Sequence, residues 1–123
     1  IIIMITYQIK TGEVKLNDKI VGYGYSGNGT FLNDPTKTDI PDHGPIPQGL
    51  WHLGGWEEQH GKLGGIVIHL TPDVTTNTFG RSAFFIHGDN FKVNHTASDG
   101  CIILSKELRK ELRDSGETRL TVI

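Results

Sequence analysis

One cysteine and one histidine stand where a chain would place a nucleophile and its base. His87 closes the apolar run Phe84-Phe85-Ile86 and is followed by Gly88 and Asp89. Cys101 follows Ser98-Asp99-Gly100 and opens the apolar run Ile102-Ile103-Leu104. Each lies where a rigid element ends, a position that holds a side chain at the rim of a cleft. Acyl transfer through a thiol needs a thiolate, a base within hydrogen-bond reach and N–H donors for the oxyanion. Gly100 lets the backbone turn closely, so the N–H groups of Gly100 and Cys101 are candidates to converge on one oxygen. Weighed against this is the plain alternative: a cysteine packed as a small apolar side chain and a histidine at the surface.

The other histidines, His43, His52, His60, His69 and His95, form no tight pair such as His-x-His or His-Glu-x-x-His. A zinc set of His87, Asp89, His95 and Cys101 is the main chemical alternative to thiol catalysis, although its spacing fits no common ligand pattern. Gly27-Asn28-Gly29 lacks the following Lys-Ser/Thr and helix of a phosphate loop. Trp51 and Trp56 are assigned to the core rather than to a glycan-facing groove.

Composition narrows the classes further. The chain has 123 residues, enough for one core, and is read as a single domain over residues 1–123. Its net charge of −2 gives no basic field for sequence-independent nucleic-acid binding. The basic cluster of residues 106–113 is interleaved with Glu107 and Glu111, the pattern of a solvated helix face. A single cysteine excludes an intrachain disulfide. The apolar opening Ile1-Ile2-Ile3-Met4-Ile5 is far short of the ~20 residues that span a bilayer. It also lacks the basic flank and cleavage site of a signal peptide.

The elements that must position these residues read mainly as β. Ile5, Tyr7 and Ile9 alternate with polar residues, and two more short strands are predicted over 13–17 and 20–25, turning at Asn17-Asp18. Residues 26–44 form an unusually long polar loop. Strands follow over 50–53, 66–71 and 83–87, the last with Phe84 and Ile86 on one face and Phe85 and His87 on the other. One helix is predicted over 106–114, capped by Ser105 and stopped by Gly116, with a final strand over 118–123. The fold class is therefore mainly β, sandwich or barrel-like, with one C-terminal helix.

The combination Ile86-His87-Gly88 and Ser98-x-Gly100-Cys101-Ile102 resembles the signature of the YkuD-type L,D-transpeptidase catalytic domain. The upstream Gly44-Pro45-Ile46-Pro47-x-Gly49 resembles the Pro-x-Gly turn of that family, and the likeness covers residues 44–104 best. Within the family, the chain is most similar to the short branch of type VI-secreted effectors. The resemblance implies Cys101 as nucleophile and His87 as base, Gly100 and Ser98 completing the catalytic set, and Gly88, Asp89 and Arg81 as substrate contacts. It implies no cofactor and no metal. It implies a peptidoglycan peptide stem as substrate, with D-alanine removed or exchanged, action in the bacterial periplasm after delivery by a secretion system or a phage, and an immunity protein as partner. The non-enzymatic alternative is a β domain that binds the cell wall.

Two positions depart from the family pattern: Asp99 stands where the family has His, and Ile103 where it has Arg or Asn. Arg81 is a substitute cation for the missing residue at 103, although six extended residues separate it from His87 by ~20 Å. Asp99 is expected to point away from the cleft or to pair with a cation such as Lys92, because a carboxylate facing the thiol would oppose its ionisation.

Overall fold

The amino-terminal alternation builds one wall of the core. In the computed structural model, which describes residues 4–59, 64–89 and 98–123, Ile5, Tyr7 and Ile9 are fully buried while Thr6 and Gln8 are half-buried. Strand β1 (Ile5–Tyr7) pairs antiparallel with β2 (Glu13–Leu16), which pairs with β3 (Lys19–Tyr23). Asn17 and Asp18 carry φ values of 54° and 64°. Two consecutive positive φ angles match a type I′ hairpin turn, and Asn and Asp tolerate them better than other side-chain-bearing residues.

The chain continues through β4 (Tyr25–Ser26), a 3-10 turn (Gly29–Phe31), β5 (Gly49–Glu57), β6 (Val67–Pro72), β7 (Phe84–His87), β8 (Ile102–Ile103), helix α1 (Lys106–Ser115) and β9 (Arg119–Val122). The described strands form one sheet in the order β3-β2-β1-β9-β5-β6-β7-β8-β4. Pairs β1–β9 and β7–β8 are parallel and the other neighbours antiparallel.

The two edge strands, β3 and β4, are separated in sequence by Gly24 alone. The sheet must therefore curl until its ends approach, which makes it a nearly closed barrel. The seam has no room for a side chain: a Cβ on Gly24 would stand 2.3 Å from the Ile103 carbonyl oxygen, and the Gly24 N–H donates to Gly12 O at 2.8 Å.

Inside, Trp51 meets Phe84 edge-on at 5.0 Å, and its Nε1–H donates to Pro47 O at 3.1 Å. The predicted helix forms as its caps dictate. Ser105 Oγ accepts the Leu108 N–H, and Gly116 adopts the left-handed conformation at φ 73°. Leu108 and Leu112 are buried in the core. A Cβ on Gly22 would stand 2.7 Å from Leu108 Cδ2, so the helix seats closely on β3.

Several sequence boundaries are corrected. The strand read over 20–25 breaks at Gly24 into β3 and β4, and the strand read over 50–53 runs from Gly49 to Glu57. Ile66 has φ 55° and lies outside β6, which begins at Val67. Residues 102–103, read only as an apolar run, form β8, buried on both residues between β7 and β4.

Candidate active site

The parallel pairing of β7 with β8 brings the segments that carry the two candidate side chains, His87 and Cys101, side by side. Ile86 is opposite Ile102 and His87 opposite Ile103. One step back along the register, Cys101 lies beside Phe85. Cys101 thus precedes β8 by one residue, next to the strand that ends at His87. His87 is only 5 % exposed. Its Nδ1 lies 2.8 Å from Gly88 O. A carbonyl can only accept, so Nδ1 carries the proton and Nε2 keeps its lone pair. Burial pushes the imidazole pKa below its ordinary value, and Arg109 pushes it further down, against opposing contributions from the Gly88 carbonyl, Asp89 and Asp99. A neutral His87 with an unprotonated Nε2 is a base.

Cys101 is half-buried, and its Sγ lies 3.7 Å from Ala83 O. Burial pushes the thiol up to about 11, despite a backbone hydrogen bond from Phe85 and the charge of Arg81, both of which favour the thiolate; Asp99 opposes it. At neutral pH the pair is therefore a thiol and a neutral imidazole. The thiol leans toward Ala83 and the imidazole Nδ1 toward Gly88, so proton transfer requires Sγ to rotate toward Nε2. Such bonds commonly tighten only when substrate is bound.

The loop that carries Cys101 is held from inside. Ser98, fully buried, donates to Cys101 O at 2.6 Å and accepts the N–H groups of Gly27 at 2.9 Å and Gly100 at 3.1 Å. Ser98 thus shapes the nucleophile loop, and the Gly100 N–H, read from sequence as an oxyanion donor, is committed to it. Ser26 donates to Gly100 O at 3.2 Å and accepts Ile46 N–H at 2.9 Å. Asn28 Nδ2 reaches Ser98 O at 2.8 Å and Asp42 O at 2.9 Å. The long loop of residues 26–44 therefore serves as a scaffold for the cysteine loop.

Arg81 belongs to the same scaffold. Its Nη1 donates to Thr38 O and to Pro45 O at 2.8 Å, and its Nη2 donates to Gly44 O at 2.9 Å and Asp99 O at 3.2 Å. The guanidinium lies 5.2 Å from the centre of the Phe84 ring. Residues 81–87 are not one extended strand, since Ala83 takes φ 64° and β7 begins only at Phe84. Arg81 comes so close to the nucleophile loop that a Cβ on Gly100, at φ 131°, would stand 2.4 Å from its Nη2. With both terminal nitrogens on backbone carbonyls, Arg81 acts as a strut.

The predicted substrate contacts Gly88 and Asp89 follow His87 directly. Tyr25 Oη donates to Asp89 Oδ1 at 2.7 Å, tying β4 to the end of β7. A Cβ on Gly88 would stand 2.7 Å from Arg109 Nη2. Arg109 is the residue that the sequence reading missed. It lies in the stretch read as a solvated face, yet it is 9 % exposed. The signal for it was its place on the flank of the Leu104-Leu108-Leu112 stripe, where a long side chain can lie across the core edge.

Asp99 is exposed, with Oδ1 3.4 Å from Asn28 Nδ2; Lys92, its expected cation, lies outside the described residues. Because the carboxylate opposes ionisation of Cys101, Asp99→Asn is expected to shift the alkylation profile of the thiol to lower pH. The shift should be a fraction of a unit, since the charge is screened by solvent, and turnover should be largely kept. Iodoacetamide labelling across pH in both proteins checks this, and an upward shift would contradict it.

Of the zinc set considered above, His95 lies outside the described residues. Among the described residues no three His, Cys, Asp or Glu side chains converge as a metal set, and no helix is long and apolar enough to cross a membrane. The sequence model of the Tlde1 domain matches residues 21–122, which take in both site segments. No curated protein matches the chain.

Proposed function

Because the chain belongs to the Tlde1 domain family, a family of type VI secretion effectors, we propose that it is a cysteine-dependent L,D-transpeptidase or L,D-carboxypeptidase of peptidoglycan. The substrate is the tetrapeptide stem, met in the periplasm of a target bacterium, and an immunity protein protects the producer. What supports this reading is that β7, which ends at His87, pairs in parallel with β8, which begins one residue after Cys101, while His87 Nδ1 faces the Gly88 carbonyl and so leaves the proton-accepting role to Nε2.

In this mechanism His87 Nε2 takes the thiol proton as Sγ attacks the carbonyl of the diaminopimelate residue. The Cys101 N–H faces the developing oxyanion. The C–N bond then breaks, His87 returns the proton to the departing D-alanine amine, and a thioester remains on Cys101. An incoming nucleophile resolves it: water trims the stem, a free D-amino acid exchanges the end, and a second diaminopimelate amine crosslinks. Trimming and exchange are expected to exceed crosslinking.

The test is incubation with purified sacculi, followed by mass analysis of the muropeptides. Loss of D-alanine from tetrapeptides, unaffected by a chelator, is the expected result. Unchanged muropeptides, chelator-abolished activity or 3–3 dimers as the sole product would each overturn part of this reading.

A further inference from the structure

We propose that Ser26 is a positioning residue that aims the oxyanion donor: its hydroxyl holds the Gly100 carbonyl and so turns the Cys101 N–H toward the carbonyl under attack. This inference rests on the acyl transfer to Cys101 proposed above and adds the device that orients its backbone donor.

A peptide unit is planar and trans, so its C=O and N–H point in opposite directions. The Gly100 carbonyl accepts from Ser26 Oγ at 3.2 Å, and Ser26 is fully buried. The Cys101 N–H, on the far side of the same peptide unit, must therefore point away from that interior. The peptide unit before it is clamped at both ends: Asp99 O accepts from Arg81 Nη2 at 3.2 Å, and the Gly100 N–H donates to Ser98 Oγ at 3.1 Å. Cys101 O accepts from Ser98 Oγ at 2.6 Å. These bonds engage each backbone polar group from Asp99 O to Cys101 O except the Cys101 N–H.

Ser26 is itself fixed from three directions. In β4 it is opposite Ile102. Its N–H donates to Asn33 Oδ1 at 3.1 Å, and its carbonyl accepts the Asn33 N–H at 2.9 Å. Its Oγ accepts the Ile46 N–H at 2.9 Å. An N–H can only donate, so the hydroxyl proton is left for the Gly100 carbonyl. Ile46 is fully buried, and it sits between Pro45 and Pro47, whose rings fix φ. The Gly44-Pro45-Ile46-Pro47 turn thus acquires a use: through Ser26 it anchors the peptide unit that carries the oxyanion donor.

A donor aimed at an oxyanion matters when a carbonyl is attacked and is idle when an alkyl carbon is attacked. Two reactions of the same sulfur therefore separate its reactivity from the aim of the N–H. The experiment follows acylation of Cys101 by p-nitrophenyl acetate and its alkylation by iodoacetamide, at one pH, in the wild type, Ser26→Ala and Ser26→Thr. In the first reaction the Sγ–C bond forms through a tetrahedral oxyanion, the C–O bond breaks, p-nitrophenolate leaves, and the thiol proton passes to His87 and on to solvent. In the second, Sγ displaces iodide and no oxyanion forms.

In Ser26→Ala the acylation-to-alkylation ratio should fall about tenfold or more, with alkylation within about threefold of the wild type. Ser26→Thr keeps the hydroxyl and should restore most of the ratio. An unchanged ratio in Ser26→Ala, or acylation and alkylation falling together, overturns the inference, since the hydroxyl then supports the loop as a whole or not at all. A folded Ser26→Thr with the low ratio of Ser26→Ala overturns it as well.

If Ser26→Ala does not fold, Asn33→Gly decides. It removes the side-chain oxygen that holds the Ser26 N–H and suits the φ of 56° at that position. It should lower the ratio about threefold or more, and an unchanged ratio again overturns the inference. The ester resembles no peptide stem, so this outcome is independent of the substrate. Stems left intact by a protein whose ratio depends on Ser26 would remove the proposed substrate and keep the inference.

Discussion

Cys101→Ala is expected to leave the barrel folded and to remove conversion of tetrapeptide stems, by on the order of 10⁴-fold or more. The two halves of that result have separate causes. In the proposed reaction the sulfur is the atom that forms the thioester, so no neighbouring group can take its place. Its structural contribution is small: the thiol is half-buried and contacts Ala83 O at 3.7 Å, a weak interaction whose loss should cost under about 1 kcal/mol. The backbone of the loop is held by Ser98, Ser26 and Arg81, none of which bonds to the sulfur. Thermal unfolding should therefore shift by no more than about 5 °C, while muropeptide profiles match those of untreated sacculi. Continued release of D-alanine by the folded variant would remove Cys101 from the chemistry and leave the proposed reaction without a nucleophile.

What the sequence disclosed and what it hid divide along physical lines. Local signals were legible. The alternation at Ile5 and Tyr7 became buried strand with Ile9 buried just beyond its end, Asn17-Asp18 became a two-residue turn, and Ser105 and Gly116 ended the helix where their chemistry requires. The fold class followed, because short strands separated by turns must close on one another to bury their faces. Long-range placement was hidden. Nothing in the spacing of Gly24 announces that it joins the two edges of the sheet. That fact emerges only when strand order is known.

Arg81 and Arg109 illustrate the same limit in side chains. A charged residue in a polar stretch reads as solvated, and what makes both of them internal is the set of carbonyls supplied by segments 18 to 44 residues away. Ser98 is the intermediate case. Its position before Gly100-Cys101 marked it as part of the site. That it accepts the Gly100 N–H, leaving the Cys101 N–H as the proposed oxyanion donor, follows only from the loop's three-dimensional turn.

His87→Ala is expected to lower kcat/KM at pH 7.5 by about 10²- to 10⁴-fold, the usual cost of a lost general base, and to change how the remaining thiol responds to pH. Burial, reinforced by Arg109, holds the His87 pKa below its ordinary value. The base is thus already neutral and competent at neutral pH, and activity should fall only as pH drops through that lowered value. Cys101 is shifted the other way, up to about 11, so it stays protonated across the physiological range and cannot supply a thiolate unaided. The wild-type kcat/KM profile should therefore show one ascending limb, with its midpoint below the ordinary histidine range, followed by a plateau to at least pH 9. Alkylation of His87→Ala by iodoacetamide should remain slow at neutral pH and rise only as pH approaches about 11. A preformed thiolate–imidazolium pair would behave differently: wild-type alkylation would be fast and nearly independent of pH from 6 upward. That result would show that the resting site holds a charged pair and would replace proton transfer during attack with attack by a standing thiolate.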